Sequence, residues 1–275
     1  RQMCIRDSSR TMIILGCITK YKPEDIKPYV ESIDQSGFNG RKVMMVYEIP
    51  QETIDYLKSK GWELYQNELQ QHIILQRFRD IYKLLEQFPN EDVIWCDVKD
   101  VIFQTDPTDW IELNMDCSIM AFSECITMKD DPWACVNSGT SFPMEWEWLQ
   151  NKTSYCAGTI VGDCEYLKDL FINIYRWSMT TANSDQLSDQ AAYNVLINLY
   201  PFKDCVQKVN QEEGFVTQLG TVLVKKDEFK DVLLEPTPIV DENYIVKNQK
   251  GEPFCLVHQY DRIPEFKNFI YQKYN

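Results

Sequence analysis

Two aspartates stand three residues apart where an apolar run ends, in Val93-Ile94-Trp95-Cys96-Asp97-Val98-Lys99-Asp100-Val101-Ile102-Phe103-Gln104. Val93 to Cys96 has the continuous hydrophobicity of a strand buried on both faces. Ligands of open α/β sheets bind beyond the carboxyl ends of the strands. Asp97 is expected at such an end, and Asp100 follows within one turn. Two carboxylates held close repel unless a cation lies between them. Hard divalent cations take carboxylate oxygens, and Mn2+ or Mg2+ would bridge to a substrate phosphate. The plain alternative is a solvated turn in which Asp100 caps the next element. The buried strand before the pair and the apolar Val101-Ile102-Phe103 directly after it weigh against that. His258 supplies a third candidate ligand. It is one of two histidines and closes another apolar run, Phe254-Cys255-Leu256-Val257, ahead of Gln259-Tyr260-Asp261-Arg262. Imidazole suits manganese better than magnesium. The other histidine, His72, falls at a helix start and is expected to be structural.

The elements that must position these groups alternate strand and helix. The pattern predicts strands at Met12–Ile18, Lys42–Tyr47, Trp62–Tyr65 and Val93–Cys96. Helices are predicted from Pro23 to near Gly37, from Glu52 to Lys60 and from Ile73 to Phe88. This is the cadence of a parallel sheet. No GxGxxG fingerprint or Walker loop follows the first strand. After Pro107 the pattern changes. A strand is expected at Cys117–Phe122, ending in Ser123-Glu124. Residues 129–155 read as a loop rich in Trp, Pro, Asn and Ser. A short strand at Thr159–Val161, helices at Glu165–Met179 and Asp189–Leu199, strands at Thr221–Val224 and Phe254–Val257, and a closing helix at Ile263–Tyr274 complete the expectation. Ser188 or Asp189 would cap the second of those helices.

A formal charge of −14 repels nucleic-acid backbones and anionic membranes, so neither is expected as a partner. The same charge would make a phosphate-bearing substrate hard to hold without a cation. No run approaches the ~18 apolar residues of a membrane span. The first eight residues, RQMCIRDS, resemble the translated end of a sequencing adapter, and residues 1–11 are expected to be an adapter-derived or disordered N-terminus. Of ten cysteines, setting Cys4 aside leaves an odd, scattered set with no CxxC pair and no zinc spacing. A reducing, cytoplasmic compartment is expected. The sequon Asn151-Lys152-Thr153 points the other way, and an anchor upstream of this sequence would place the chain in the Golgi or ER lumen.

The succession of a nucleotide-binding half, DVKDVIFQ, a Phe-Ser-Glu strand end, YCAGTIVG, SDQAAYN and LVHQYDR resembles a GT-A-fold glycosyltransferase. The DxxD form, with the Phe-Ser-Glu and the late histidine, is similar to the glycosyltransferase domains of collagen hydroxylysine-modifying enzymes. The resemblance runs from about residue 12 to 275, carried by these short blocks. It implies an α/β fold with a Rossmann-like mixed sheet flanked by helices. The single domain would have a nucleotide-binding half (12–105) and an acceptor half with C-terminal closure (106–275). It further implies that Asp97, Asp100 and His258 hold Mn2+ or Mg2+ on the diphosphate of a nucleotide-sugar. Thr19 matches a position near the base. Arg77 matches a basic donor contact, against the alternative of a solvated helix charge. Ala157-Gly158 matches the family's Asn-Ala-Gly or Asn-Ser-Gly strand edge, although Cys156 replaces the asparagine. Asp189-Gln190 matches the Asp-Gln block near the transferring sugar, and Asp189 would double as a helix cap.

These assignments describe transfer of a hexose from a nucleotide-sugar, UDP-glucose or UDP-galactose by the resemblance, to a hydroxyl on a glycan or protein. Asp189 and Glu124 are the candidate bases for an inverting route. In a retaining route the departing phosphate takes the proton and Asp189 or Gln190 positions the sugar; the hydroxylysine-type likeness favours retention. Trp133, Phe142, Trp146 and Trp148 offer aromatic faces to an acceptor, or simply packing. The rivals are a nucleotidyltransferase on the same sheet, for which Thr19-Lys20-Tyr21-Lys22 supplies lysines but no glycines, and a non-catalytic glycan- or partner-binding relative.

Overall fold

The chain's structure is a computed structural model that describes residues 10–181 and 188–275. The adapter-like residues 1–8 lie outside the described residues. The first half follows the expected alternation as β1 (Met12–Thr19), α1 (Pro23–Ser36), β2 (Arg41–Tyr47), α2 (Gln51–Ser59), β3 (Glu63–Gln66), α3 (Ile73–Leu85) and β4 (Asp92–Cys96). These four strands pair in parallel in the order β3-β2-β1-β4. The unbroken apolar runs serve two faces at once. Ile13, Leu15, Val93 and Trp95 enter one core, while Ile14, Ile18, Ile94 and Cys96 enter the other. On the first face Phe78 of α3 packs on Trp95 with ring centroids 6.0 Å apart. On the second, Tyr29 of α1 meets Trp62 and Phe103 at 5.7 and 5.9 Å. Each such fully buried large side chain contributes about 1.5–3 kcal/mol.

The second half comprises β5 (Val101–Phe103), α4 (Thr108–Asn114), β6 (Ile119–Thr127), α5 (Pro132–Ser141), α6 (Pro143–Leu149), β7 (Thr153–Asp163), α7 (Cys164–Met179), α8 (Asp189–Leu196), β8 (Val206–Val209), β9 (Val216–Gln218), α9 (Leu219–Val222), β10 (Ile239–Val240), β11 (Val246–Lys247), β12 (Leu256–His258) and α10 (Pro264–Tyr274). β7 runs antiparallel between β4 and β6, and β8 closes the edge, giving a seven-stranded mixed sheet ordered β3-β2-β1-β4-β7-β6-β8. α3 and α7 cover one face, where Phe171 sits 5.4 Å from Phe78. A separate three-stranded sheet, β5-β12-β9, packs with α9 and α10 on a third core around Val257, Leu219 and Phe266. The expected α/β single domain, a mixed sheet flanked by helices, is the fold observed.

Some local expectations fail. Residues 129–155 are not a loop: they hold α5, α6 and the start of β7. Each of these helices opens with a proline at its first turn, and the Asp131 side chain caps α5 by accepting from Trp133 N at 3.0 Å. Proline costs nothing there because that N–H has no helical partner. Residues 221–224 are not a strand. Leu219 and Val222 enter the third core at helical spacing, so α9 and a following turn form instead. The strand expected at 159–161 is only the middle of the eleven-residue β7.

Candidate functional site

Asp97 follows the last residue of β4, and its backbone N–H donates to Gly158 O of β7 at 2.9 Å. The turn from Asp97 to Asp100 is then clamped to the end of β12. Gln259 N donates to Asp100 O at 2.7 Å, and the Tyr260 hydroxyl donates to Lys99 O at 3.3 Å. Gln259 reaches this position with φ 63°, the left-handed region that a non-glycine residue adopts only under outside constraint. Antiparallel pairing sets His258 opposite Val101. Two sequence-distant segments are thereby fastened side by side. His258 Nε2 lies 3.6 Å from Asp97 Oδ2 and 3.3 Å from Asp100 Oδ1. The three ligand atoms fall within 4.8 Å of one another, and theirs is the one such cluster among the described residues.

The surroundings keep this space open and oriented. A Cβ on Gly158 would meet Asp97 Oδ2 at 2.4 Å and His258 Cε1 at 3.0 Å. Glycine is therefore required by close approach, not by backbone conformation. The other face of the imidazole is occupied: Nδ1 is 2.6 Å from Gln218 Oε1 and 3.7 Å from Cys156 Sγ. Burial pushes the His258 imidazole down, but the Asp100 carboxylate outweighs it and holds His258 well above its ordinary value. Burial would raise Asp100, and the imidazole in turn brings it below the usual range. Two carboxylates thus draw positive charge to this point.

Arg77 of α3 is largely buried. Its Nη1 donates to Asp97 Oδ1 at 2.8 Å and its Nη2 to Asp189 Oδ2 at 3.2 Å. The guanidinium lies 5.1 Å from the ring centres of both Phe78 and Trp95. The alternative of a solvated helix charge is thus excluded. Asp189 opens α8, where burial pushes its carboxyl up and Arg77 partly restores it. Gln190 bridges two segments: Ala157 N donates to its Oε1 at 3.2 Å, and its Nε2 donates to Glu124 Oε2 at 3.0 Å. Ser154 Oγ donates to the same Glu124 oxygen at 2.6 Å. Burial lifts the Glu124 carboxyl, and Ser154 partly counters the effect.

These side chains line one cleft of about 380 Å3. Of the expected site residues, Arg77, Asp97, Asp100, Glu124, Ala157, Gly158, Asp189, Gln190 and His258 all come together there. Thr19 does not line it; it ends β1 half-buried, with Oγ1 lacking a hydrogen-bond partner. Of the four aromatic candidates only Trp133 lines the cleft, 41% exposed. Phe142 is buried against Trp177 at 5.7 Å, and Trp146 and Trp148 pack on the first core. His72 caps α3, accepting from Ile74 N at 3.3 Å, as expected of a structural histidine. Sequence reasoning missed Lys225, which also lines the cleft, and Gln218, whose three-residue strand carries no periodic signal. Arg262, seen only as part of a polar strand end, lines it too.

No protein-family model and no curated protein matches the sequence. Solved structures share its fold. A galactosyltransferase, LgtC, determined in complex with donor and acceptor sugar analogues, matches with a TM-score of 0.58 at 12% identity over 96% of each chain. The glycosyltransferase GlyE of Streptococcus pneumoniae TIGR4 matches with a TM-score of 0.58 at 15% identity, over 96% of this chain and 60% of its own. At these identities the likeness establishes a common fold.

Proposed function

We propose that this chain is a metal-dependent glycosyltransferase that moves a hexose from a nucleotide-sugar, a UDP-sugar, to a hydroxyl acceptor on a glycan or protein. The observation that carries the proposal is the Asp97–Asp100–His258 cluster at the end of a parallel strand, facing a cleft. The donor set fits a divalent cation. Two carboxylates and one imidazole converge, the far ring nitrogen is engaged by Gln218, and the missing side chain of Gly158 lets the Asp97 carboxylate and the His258 ring close in on β7. That set favours Mn2+ over Mg2+. Bound there, the cation would act as a Lewis acid toward the charge that develops on a departing diphosphate.

The remaining roles belong to the chain's own residues. Arg77 fixes Asp97 and Asp189 with one guanidinium. Asp189 and Gln190 form a wall that positions the transferring sugar. Gln190 is held between Ala157 N and Glu124, so it cannot swing away without breaking both contacts. Lys225 and Arg262 add cationic charge to a cleft that the net acidity of the molecule would otherwise make hostile to phosphate. Glu124 takes the acceptor proton on an inverting route, because Asp189 is already committed to Arg77; on a retaining route the departing phosphate takes it. Trp133 offers its face to the acceptor ring.

The test is hydrolysis of UDP-sugars by the purified chain with and without Mn2+. Sugar release that needs Mn2+ and falls by about 100-fold or more in Asp100→Ala is expected. Absence of Mn2+ binding and of turnover with every nucleotide-sugar overturns the assignment.

A further inference from the structure

We propose that Gln218 is a positioning residue for the cation site, its amide oxygen holding Nδ1–H of His258 so that Nε2 is turned toward Asp97 and Asp100. The inference rests on the metal-dependent function proposed above.

β9 pairs in parallel with β12, and the register sets Gln218 directly beside His258. The strand is itself anchored, since Thr217 Oγ1 donates to Gln211 Oε1 at 2.8 Å. Gln218 is fully buried, and its Oε1 lies 2.6 Å from His258 Nδ1. Its Nε2 is buried with no hydrogen-bond partner. Buried polar groups are normally paired, and an idle donor is costly. The register turns Gln218 to the same side of the sheet as His258 and away from Val257. What the amide supplies is one strong acceptor on the far side of the imidazole. Metal-binding histidines characteristically donate their second N–H to such a group, which fixes both tautomer and ring orientation. Without Gln218 the acceptor left near Nδ1 is the Cys156 thiol at 3.7 Å, a weak one. The ring would then be free to keep its proton on Nε2, facing the carboxylates.

The test is Mn2+ titration of the full chain, with free Mn2+ followed by electron paramagnetic resonance. Gln218→Leu, which removes the acceptor, is expected to bind Mn2+ about 10- to 100-fold more weakly. Gln218→Glu, which keeps an acceptor at the same reach, restores affinity. In a His258→Ala background the Gln218→Leu change has no further effect. Should Gln218→Leu fail to fold, Gln218→Met gives the same loss of acceptor in nearly the same shape. Unchanged affinity in the acceptor-less variant overturns the inference, as does equal weakening in Gln218→Glu or a full effect in the His258→Ala background. An unaltered chain that binds no Mn2+ overturns the proposed function itself. Normal binding in the unaltered chain with a silent Gln218→Leu overturns this inference alone.

Discussion

Replacing Gly158 by alanine adds one methyl group at the point where Asp97 and His258 approach β7. The new carbon would lie 2.4 Å from Asp97 Oδ2, whereas ordinary contact begins at 3.4 Å. The carboxylate must therefore retreat by about 1 Å. Gly158 carries no positive φ, so the backbone accepts alanine and gains about 0.5–1 kcal/mol from the loss of glycine's freedom in a strand. Against this, the Arg77–Asp97 bond of 2.8 Å is stretched or lost, at about 1–3 kcal/mol for a buried charged donor. The net cost is about 0–2.5 kcal/mol, a fall of about 0–10 °C in Tm. Activity suffers far more. A misplacement of about 1 Å in a positioned group costs about 100-fold, or about 2.7 kcal/mol in the barrier. The assay is kcat for Mn2+-dependent UDP-sugar hydrolysis, alongside Tm with and without Mn2+. Gly162→Ala on the same strand is the control: its Cβ would meet Ser118 O at 2.8 Å and Leu167 Cγ at 3.0 Å, away from the cleft. It should lower Tm while leaving activity per folded molecule within about twofold. Full kcat in Gly158→Ala, or equal loss in both variants, would refute the reasoning.

Two further outcomes follow from the buried carboxyls. Arg77→Met strips the shared cation from Asp97 and Asp189 and should destabilise the chain by about 3–5 kcal/mol. Because burial already holds Asp189 above its ordinary value and Arg77 opposes that rise, the variant's Tm should recover as pH is lowered and the carboxyl takes up a proton; a deficit independent of pH would count against it. Glu124 is likewise raised by burial, so the folded state binds its proton more tightly than the unfolded one. The stability penalty is absent below the unfolded value and grows as pH rises through the folded one. Glu124→Gln should therefore raise Tm at neutral pH and leave it unchanged in acid, as scanning calorimetry over a pH series will show.

The cluster was legible because two of its three members end apolar runs: Val93–Cys96 delivers Asp97, and Phe254–Val257 delivers His258. Strand ends can be read from local hydrophobicity alone. What joins them cannot. β5 and β9 are three residues long, too short for a period to register, so neither the second sheet nor Gln218 could be foreseen. Arg77 looked equally like a surface charge and a site residue, since its burial depends on two carboxylates contributed by distant elements. The helix start of α5 is written locally in the sequence, in the Asp131-Pro132 pair that caps and opens it. At 221–224, β-branched residues suggested a strand, but the spacing of Leu219 and Val222 against the third core decided for helix.

The small sheet β5-β12-β9 has a consequence for biosynthesis. A ribosome delivers the two carboxylates well before the imidazole. Until residue 258 has emerged and zipped beside Val101 and Gln218, a nascent polypeptide lacks the third member of the proposed cation site. Any message cut short before that codon yields a product with its large sheet spelled out and the proposed cation site unfinished.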